Sequence, residues 1–169
     1  AQSALGMTVE NTEQNQRNVV RVTDTLVSAN QQANASVQQF SEALTNKGAT
    51  ALRNVNKDIE EGVAVLSAYA DQGIKGRRAG EYLSRTLRIM SKAANENIKQ
   101  FKELGIVTAE GNLADFPTII EALTKELQGL SDTAMTAKLE QMGFTSEVQE
   151  AIKPLLGLSD GIAEYEKNL

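Results

Sequence analysis

The residues of this chain able to move protons are carboxylates, and two close pairs stand out: Glu60-Glu61 and Glu147 with Glu150. Glycoside hydrolysis needs two carboxylates about 5 to 10 Å apart across a sugar site. Aromatic platforms usually line such sites, and this chain has no Trp. Cys and His are absent too, which excludes disulfides, thiolate or imidazole metal ligation, Cys or Ser/His nucleophiles and histidine pH switching. Both pairs are predicted to be solvated helix faces. No catalytic, cofactor-binding or metal-binding residue is assigned.

The turn Gly73-Ile74-Lys75-Gly76, followed by Arg77-Arg78, invites comparison with a phosphate cradle, because helix N-termini attract anions. A P-loop needs G-x-x-x-x-G-K-[ST] after a buried strand, and here a helix precedes. A helix-turn-helix DNA reader is the stronger competitor, since the second helix carries Arg77, Arg78, Arg85, Arg88 and Lys92. That motif places a small residue four before the turn glycine and a branched apolar residue six after it. This chain has bulky Tyr69 and small Ala79, sizes that would spoil the crossing. No sequence-specific nucleic-acid partner is expected.

Charge is uneven along the chain. The net charge of -5 divides into -3 over residues 1–74, +6 over 75–102 and -8 over 103–169. Arg78, Arg85, Lys92 and Lys99 repeat every seven residues and are predicted to share one helix face opposite the apolar stripe. Solvation explains such a face. The sharper reading makes Arg78, Arg85, Arg88 and Lys92 a candidate docking face for an acidic surface, in this chain or in a partner.

These side chains must be positioned by helices. The 169 residues suffice for one domain with a sizeable core. With only 3 Tyr, 4 Phe and 2 Pro, a β-sandwich or barrel is improbable. The expected fold is all-α: a compact bundle made of a string of about eight short helices with a central helical hairpin. The opening Ala1-Gln2-Ser3, with no Met, basic leader or signal stretch, predicts a piece of a longer protein. The longest apolar run, Gly62 to Ala70, is about nine residues, well short of the roughly 20 needed to span a bilayer.

Three parts are expected within one continuous domain: an amide-rich helical part over 1–56, a hairpin with a basic second helix over 57–105, and an acidic helical part over 106–169. In the first, 15 of 24 Asn and Gln residues lie at or before Asn56. Two amphipathic helices are predicted there, with a break near Asn30 to Ala35, the second ended by Gly48. Asp58 and Glu61 form a predicted capping box opening a helix over 58–72. Gly73 supplies its left-handed C′ residue, and Ile74 folds back onto the last turn. A second helix over 77–104 should follow, with Gly80 at the close approach of the two and Asn95 or Asn97 as points of interruption. After a polar loop at Thr108 to Asn112, Asp115 caps a helix with Pro117 early in it. Ser131 or Asp132, Thr145 with Ser146, and Ser159 or Asp160 begin further helices, one interrupted by Pro154.

With the hairpin placed, the run Leu66-Ser67-Ala68-Tyr69-Ala70-Asp71-Gln72-Gly73-Ile74-Lys75-Gly76-Arg77-Arg78-Ala79-Gly80 resembles the core region of phage tail tape measure proteins. The likeness continues through Phe101-Lys102-Glu103-Leu104-Gly105-Ile106, Gly111-Asn112, Pro117-x-Ile119-Ile120-x-Ala122-Leu123, Met142-Gly143-Phe144 and Tyr165-Glu166. It spans most of the chain from about Val19 onward. Arg77 departs from it, standing where the family commonly has Ser or Thr as the cap of the long helix.

The resemblance implies a structural protein that occupies the tail lumen, sets tail length and leaves ahead of the DNA. Implied partners are tail tube, tail-tip or baseplate proteins, a tail assembly chaperone and further copies of the chain. No cofactor is implied. A cellular helical adaptor or scaffold binding an acidic partner is the alternative. An acidic bundle on a peripheral membrane is a third reading, weakened because the basic helix offers only Tyr82 and Phe101 as bulky aromatics.

Overall fold

The computed structural model describes residues 1–3, 5–9 and 12–169. The elements are α1 (Thr12–Gln32), α2 (Val37–Ala43), a π turn (Leu44–Gly48), α3 (Ala49–Asn54), α4 (Ile59–Asp71), α5 (Gly76–Glu96), α6 (Ile98–Glu103), α7 (Phe116–Leu127), α8 (Asp132–Gln141), α9 (Ser146–Ile152), a 3-10 turn (Lys153–Leu155) and α10 (Ser159–Asn168). The fold is all-α. Among the described residues the only β pairing is an isolated antiparallel bridge, Val107 with Leu113, closing the loop before α7.

Helix α4 is the axis. Apart from Glu60 and Asp71 its residues are buried, so it has no wide solvent face and must be enclosed. Helices α1, α3, α5 and α10 surround it. Its end follows the expected local chemistry: Gly73 has φ +77° and the Ile74 N–H donates to the Tyr69 carbonyl at 2.9 Å, a Schellman closure. Its start follows only half of the expectation. The Asp58 side chain accepts from the Glu61 N–H at 2.9 Å, but the Glu61 carboxylate does not turn back to complete a box. It accepts instead from the Phe116 N–H at 2.9 Å and pairs with Lys57 at 2.8 Å. Lys57 Nζ also donates to the Ala114 carbonyl at 2.7 Å. Burial makes the difference, because the Phe116 N–H is the buried donor with no helical acceptor, whereas the end of α4 faces water.

Helix α5 packs against α4, and the Tyr69 and Tyr82 rings meet edge to face at 5.9 Å. Gly80, however, is not at that crossing. A Cβ there would overlap the backbone carbonyl of Ala43, so Gly80 admits α2, not the hairpin partner. Gly48 is not a terminator either: with φ -59° it continues from the π turn into α3, and a Cβ on it would lie 2.9 Å from the same Ala43 oxygen. The run ends at Asn54, beyond which Asn56 takes φ +56°.

The helix expected over 77–104 starts at Gly76 and breaks at Asn97, whose side chain donates to the Ala93 carbonyl at 3.3 Å. Lys75 is the N-cap residue and makes no side-chain cap bond, so Arg77 lies inside the helix and has no capping role. Downstream two predicted caps hold, Asp115 accepting from the Thr118 N–H at 2.8 Å and Ser131 from the Ala134 N–H at 3.3 Å. Thr145, in contrast, makes no side-chain cap bond, and Ser159 is the first residue inside α10, after the N-cap Leu158. Two apolar clusters result. One gathers Phe40, Leu52, Leu66, Tyr69, Leu83 and Phe116 around α4; the other gathers Met90, Phe101, Ile119, Leu123, Met142 and Phe144. Helices α5 and α7 contribute to both.

Two substitutions separate local from long-range demands on glycine. Gly80→Ala should cost about 1–3 kcal/mol by forcing α2 off α5. Gly73→Val has open space around it but must hold a β-branched residue at positive φ, a cost of about 1–2 kcal/mol. Thermal denaturation followed by circular dichroism should show both losses. An unchanged melting temperature for Gly80→Ala would mean that α2 can retreat without consequence.

Candidate functional site

Helix α5 presents Ala79, Leu83, Leu87 and Met90 to the interior and its basic residues to the opposite arc. At 100° per residue, Arg78, Arg85, Lys92 and Arg88 fall within about a quarter of the circumference. Arg78, Arg88 and Lys92 are exposed and Arg85 is half-buried. Lys99 is separated from this arc: it belongs to α6, beyond the Asn97 break, so the four-member heptad expected from the sequence is a three-member one.

The arc is not uniform. Arg78 is anchored, with its guanidinium 5.2 Å from the centre of the Tyr82 ring and Nη2 donating to the Tyr82 hydroxyl at 2.8 Å. Lys92 has a loose pair with Glu96 at 3.8 Å. Arg88 turns toward a cleft of about 430 Å³ between α5 and α3 that it lines with Lys47. Periodicity alone could not reveal that cleft, because its second wall comes from residues 46–55. The sequence trace it leaves is the polar row Ser84, Arg88, Ser91 and Asn95, spaced by four, three and four.

The candidate acid pairs do not form a catalytic arrangement. Glu147 and Glu150 are exposed on α9. Glu60 accepts from Arg21 Nε at 2.6 Å, while Glu61 is engaged with Lys57 and Phe116. Among the described residues no group of acidic side chains is arranged to hold a metal ion, and no helix is long and apolar enough to cross a membrane.

Negative charge collects where α10 meets the starts of α4 and α7. Partial burial, then the nearby Glu61, Asp58 and Asp115, holds the Glu166 carboxyl above the ordinary carboxylate range, with Lys57 opposing. Burial raises Glu61 likewise, against Lys57 and the Phe116 N–H. A carboxyl that binds its proton more tightly in the folded state favours folding below its unfolded pKa. That contribution is lost as pH rises through the folded value. Glu166→Gln, neutral throughout, should therefore melt higher than the parent chain at pH 7 and lose the advantage below about pH 4. Melting curves across that interval check the sign; an advantage that grows toward low pH would contradict it.

No curated protein and no solved structure matches the chain. The profile of the family described as phage-related minor tail protein matches residues 1–143. That span includes the α4–α5 hairpin, its basic arc and the break at Asn97. The chain belongs to the phage-related minor tail protein family, and its role is that of a structural component of a phage tail.

Proposed function

We propose that this chain is a compact segment of a tape measure protein, the component that lies in the tail lumen, sets tail length and leaves ahead of the DNA. The observation that carries the reading is the family match over residues 1–143. The ordered likeness from Leu66 to Tyr165-Glu166 narrows it from tail protein to tape measure. In this reading its partners are tail tube, tail-tip or baseplate proteins, an assembly chaperone and other copies of the chain. The arc of Arg78, Arg85, Arg88 and Lys92 is the surface proposed to meet an acidic face among them.

Compactness favours a folded unit beside the measuring rod over a length of the rod itself. Gly73, Gly105, Gly129, Gly143 and Gly157 all hold positive φ between helices, so the chain reverses repeatedly.

Two genetic experiments test the proposal. Replacing Arg78, Arg85, Arg88 and Lys92 together by Glu should leave helicity intact and reduce tail assembly; normal tails from that mutant would leave the arc as a solvated face only. As one straight helix 169 residues would extend roughly 250 Å at 1.5 Å per residue. Internal deletion should therefore block assembly or change tail length far less than that. Viable tails shortened by the full rod length in electron micrographs would overturn the compact assignment.

A further inference from the structure

The cleft that Arg88 lines does not stop at α3. A second depression of about 180 Å³ shares Asn54, Val55 and Ser91 with it and runs on to Asn95 and the loop at Gly111–Leu113. Together they form one groove along the flank of α5. One wall is the row Ser84, Arg88, Ser91 and Asn95; the other passes from Asn46 and Lys47 through Asn54 to Asn112. From Ser84 to Asn95 the helix rises about 16 Å. That length accommodates about five residues of extended chain at 3.3 Å each.

The chemistry of the lining is specific. Each Asn side chain offers a carbonyl acceptor and an NH₂ donor, the same pair of groups that every peptide unit presents. An amide-lined groove can therefore hold an extended backbone by paired hydrogen bonds whatever its side chains. Both charged residues in the lining are cations, Lys47 and Arg88, and no acid lines either part. Lys47 is only loosely engaged, 3.9 Å from Glu81. Arg88 has no ion pair or side-chain hydrogen bond among the described residues, in contrast to Arg78 and Arg21, which are both satisfied. No aromatic ring lines the groove, which removes the stacking platform that single-stranded nucleic acid uses.

We propose that this groove binds an extended peptide segment of a partner protein, held along its backbone by Asn54, Asn95 and Asn112, with an Asp or Glu side chain seated at Arg88. The assignment goes beyond a role in the tail and is tested without one. The 169-residue chain is used to select from a displayed library of random heptapeptides, with subtraction against the double variant Arg88→Glu/Asn54→Leu. Both positions are exposed, and circular dichroism is to be used to check that each variant folds.

Selected peptides should carry an acidic residue. Their affinity, measured on synthetic copies with blocked termini, should fall about ten-fold with Arg88→Gln, the loss of one charge-assisted hydrogen bond. It should be lost with Asn54→Leu and unchanged with Arg17→Gln, an exposed arginine on α1 that lines neither part of the groove. Failure to enrich any peptide over the double variant overturns the proposal. So do peptides without an acid, binding indifferent to Arg88→Gln and Asn54→Leu, or saturation of the groove by an N-acetylglucosamine oligomer in place of peptide.

Discussion

Helix α2 can rest on α5 only because neither brings a side chain to the point of contact. Gly80 has no Cβ, and what fills the space is the Ala43 carbonyl, with Gly48 closing in from one turn further on. Such a backbone approach tolerates no added methyl, so it fixes the distance between the two helices more tightly than interdigitating side chains could. The π turn at Leu44–Gly48 follows directly, and its wider turn leads the chain into α3 alongside α5. Leu52 of α3 then fills the space above Gly62 of α4, where a Cβ would overlap its δ carbons. Three glycines thus determine how the first half of the chain wraps the central helix, and the polar groove between α3 and α5 is the gap that remains.

The second constraint is electrostatic. Lys57 and Glu61 are both nearly buried, and two charges removed from water are costly unless every remaining hydrogen-bonding position is filled. Here each partner gains one further bond from the far side of the molecule, Lys57 to the Ala114 carbonyl and Glu61 from the Phe116 N–H. The pair therefore specifies where the segment entering α7 must lie. Glu166, which α10 brings to the same region, is held above the ordinary carboxylate range first by partial burial and then by the neighbouring carboxylates of Glu61, Asp58 and Asp115.

What the sequence revealed and what it hid divide by distance along the chain. Asp58, Asp115, Ser131 and Gly73 were legible because each bonds within five residues, so the signal and its partner share a window. Gly80, Gly48 and Glu61 were recognisable as special residues, but the reason lies 37, 5 and 55 positions away, so local spacing points each of them at the wrong contact. Gly48 is instructive because even its near partner, Ala43, matters only through a π turn that no spacing rule anticipates. Among the site residues Arg78, Arg85 and Lys92 came from periodicity, which the helix preserved. Lys99 was lost to the break at Asn97, and the groove was invisible because its walls come from separate stretches of chain, 84–95 facing 46–56 and 111–113.

The Tyr69 hydroxyl donates to the Ala151 carbonyl at 2.7 Å, fully enclosed, and burial pushes the phenol's pKa well up. The acceptor lies past residue 143, where the family match ends. Phe144, Val148 and Ile152 of one apolar cluster, and Leu155 and Ile162 of the other, lie past it as well. The matched span and the packed core therefore end at different points in this chain, and residues 144–169 close what the first 143 build. A chain stopped at residue 143 would leave the Tyr69 hydroxyl without its acceptor and both clusters uncovered on one side.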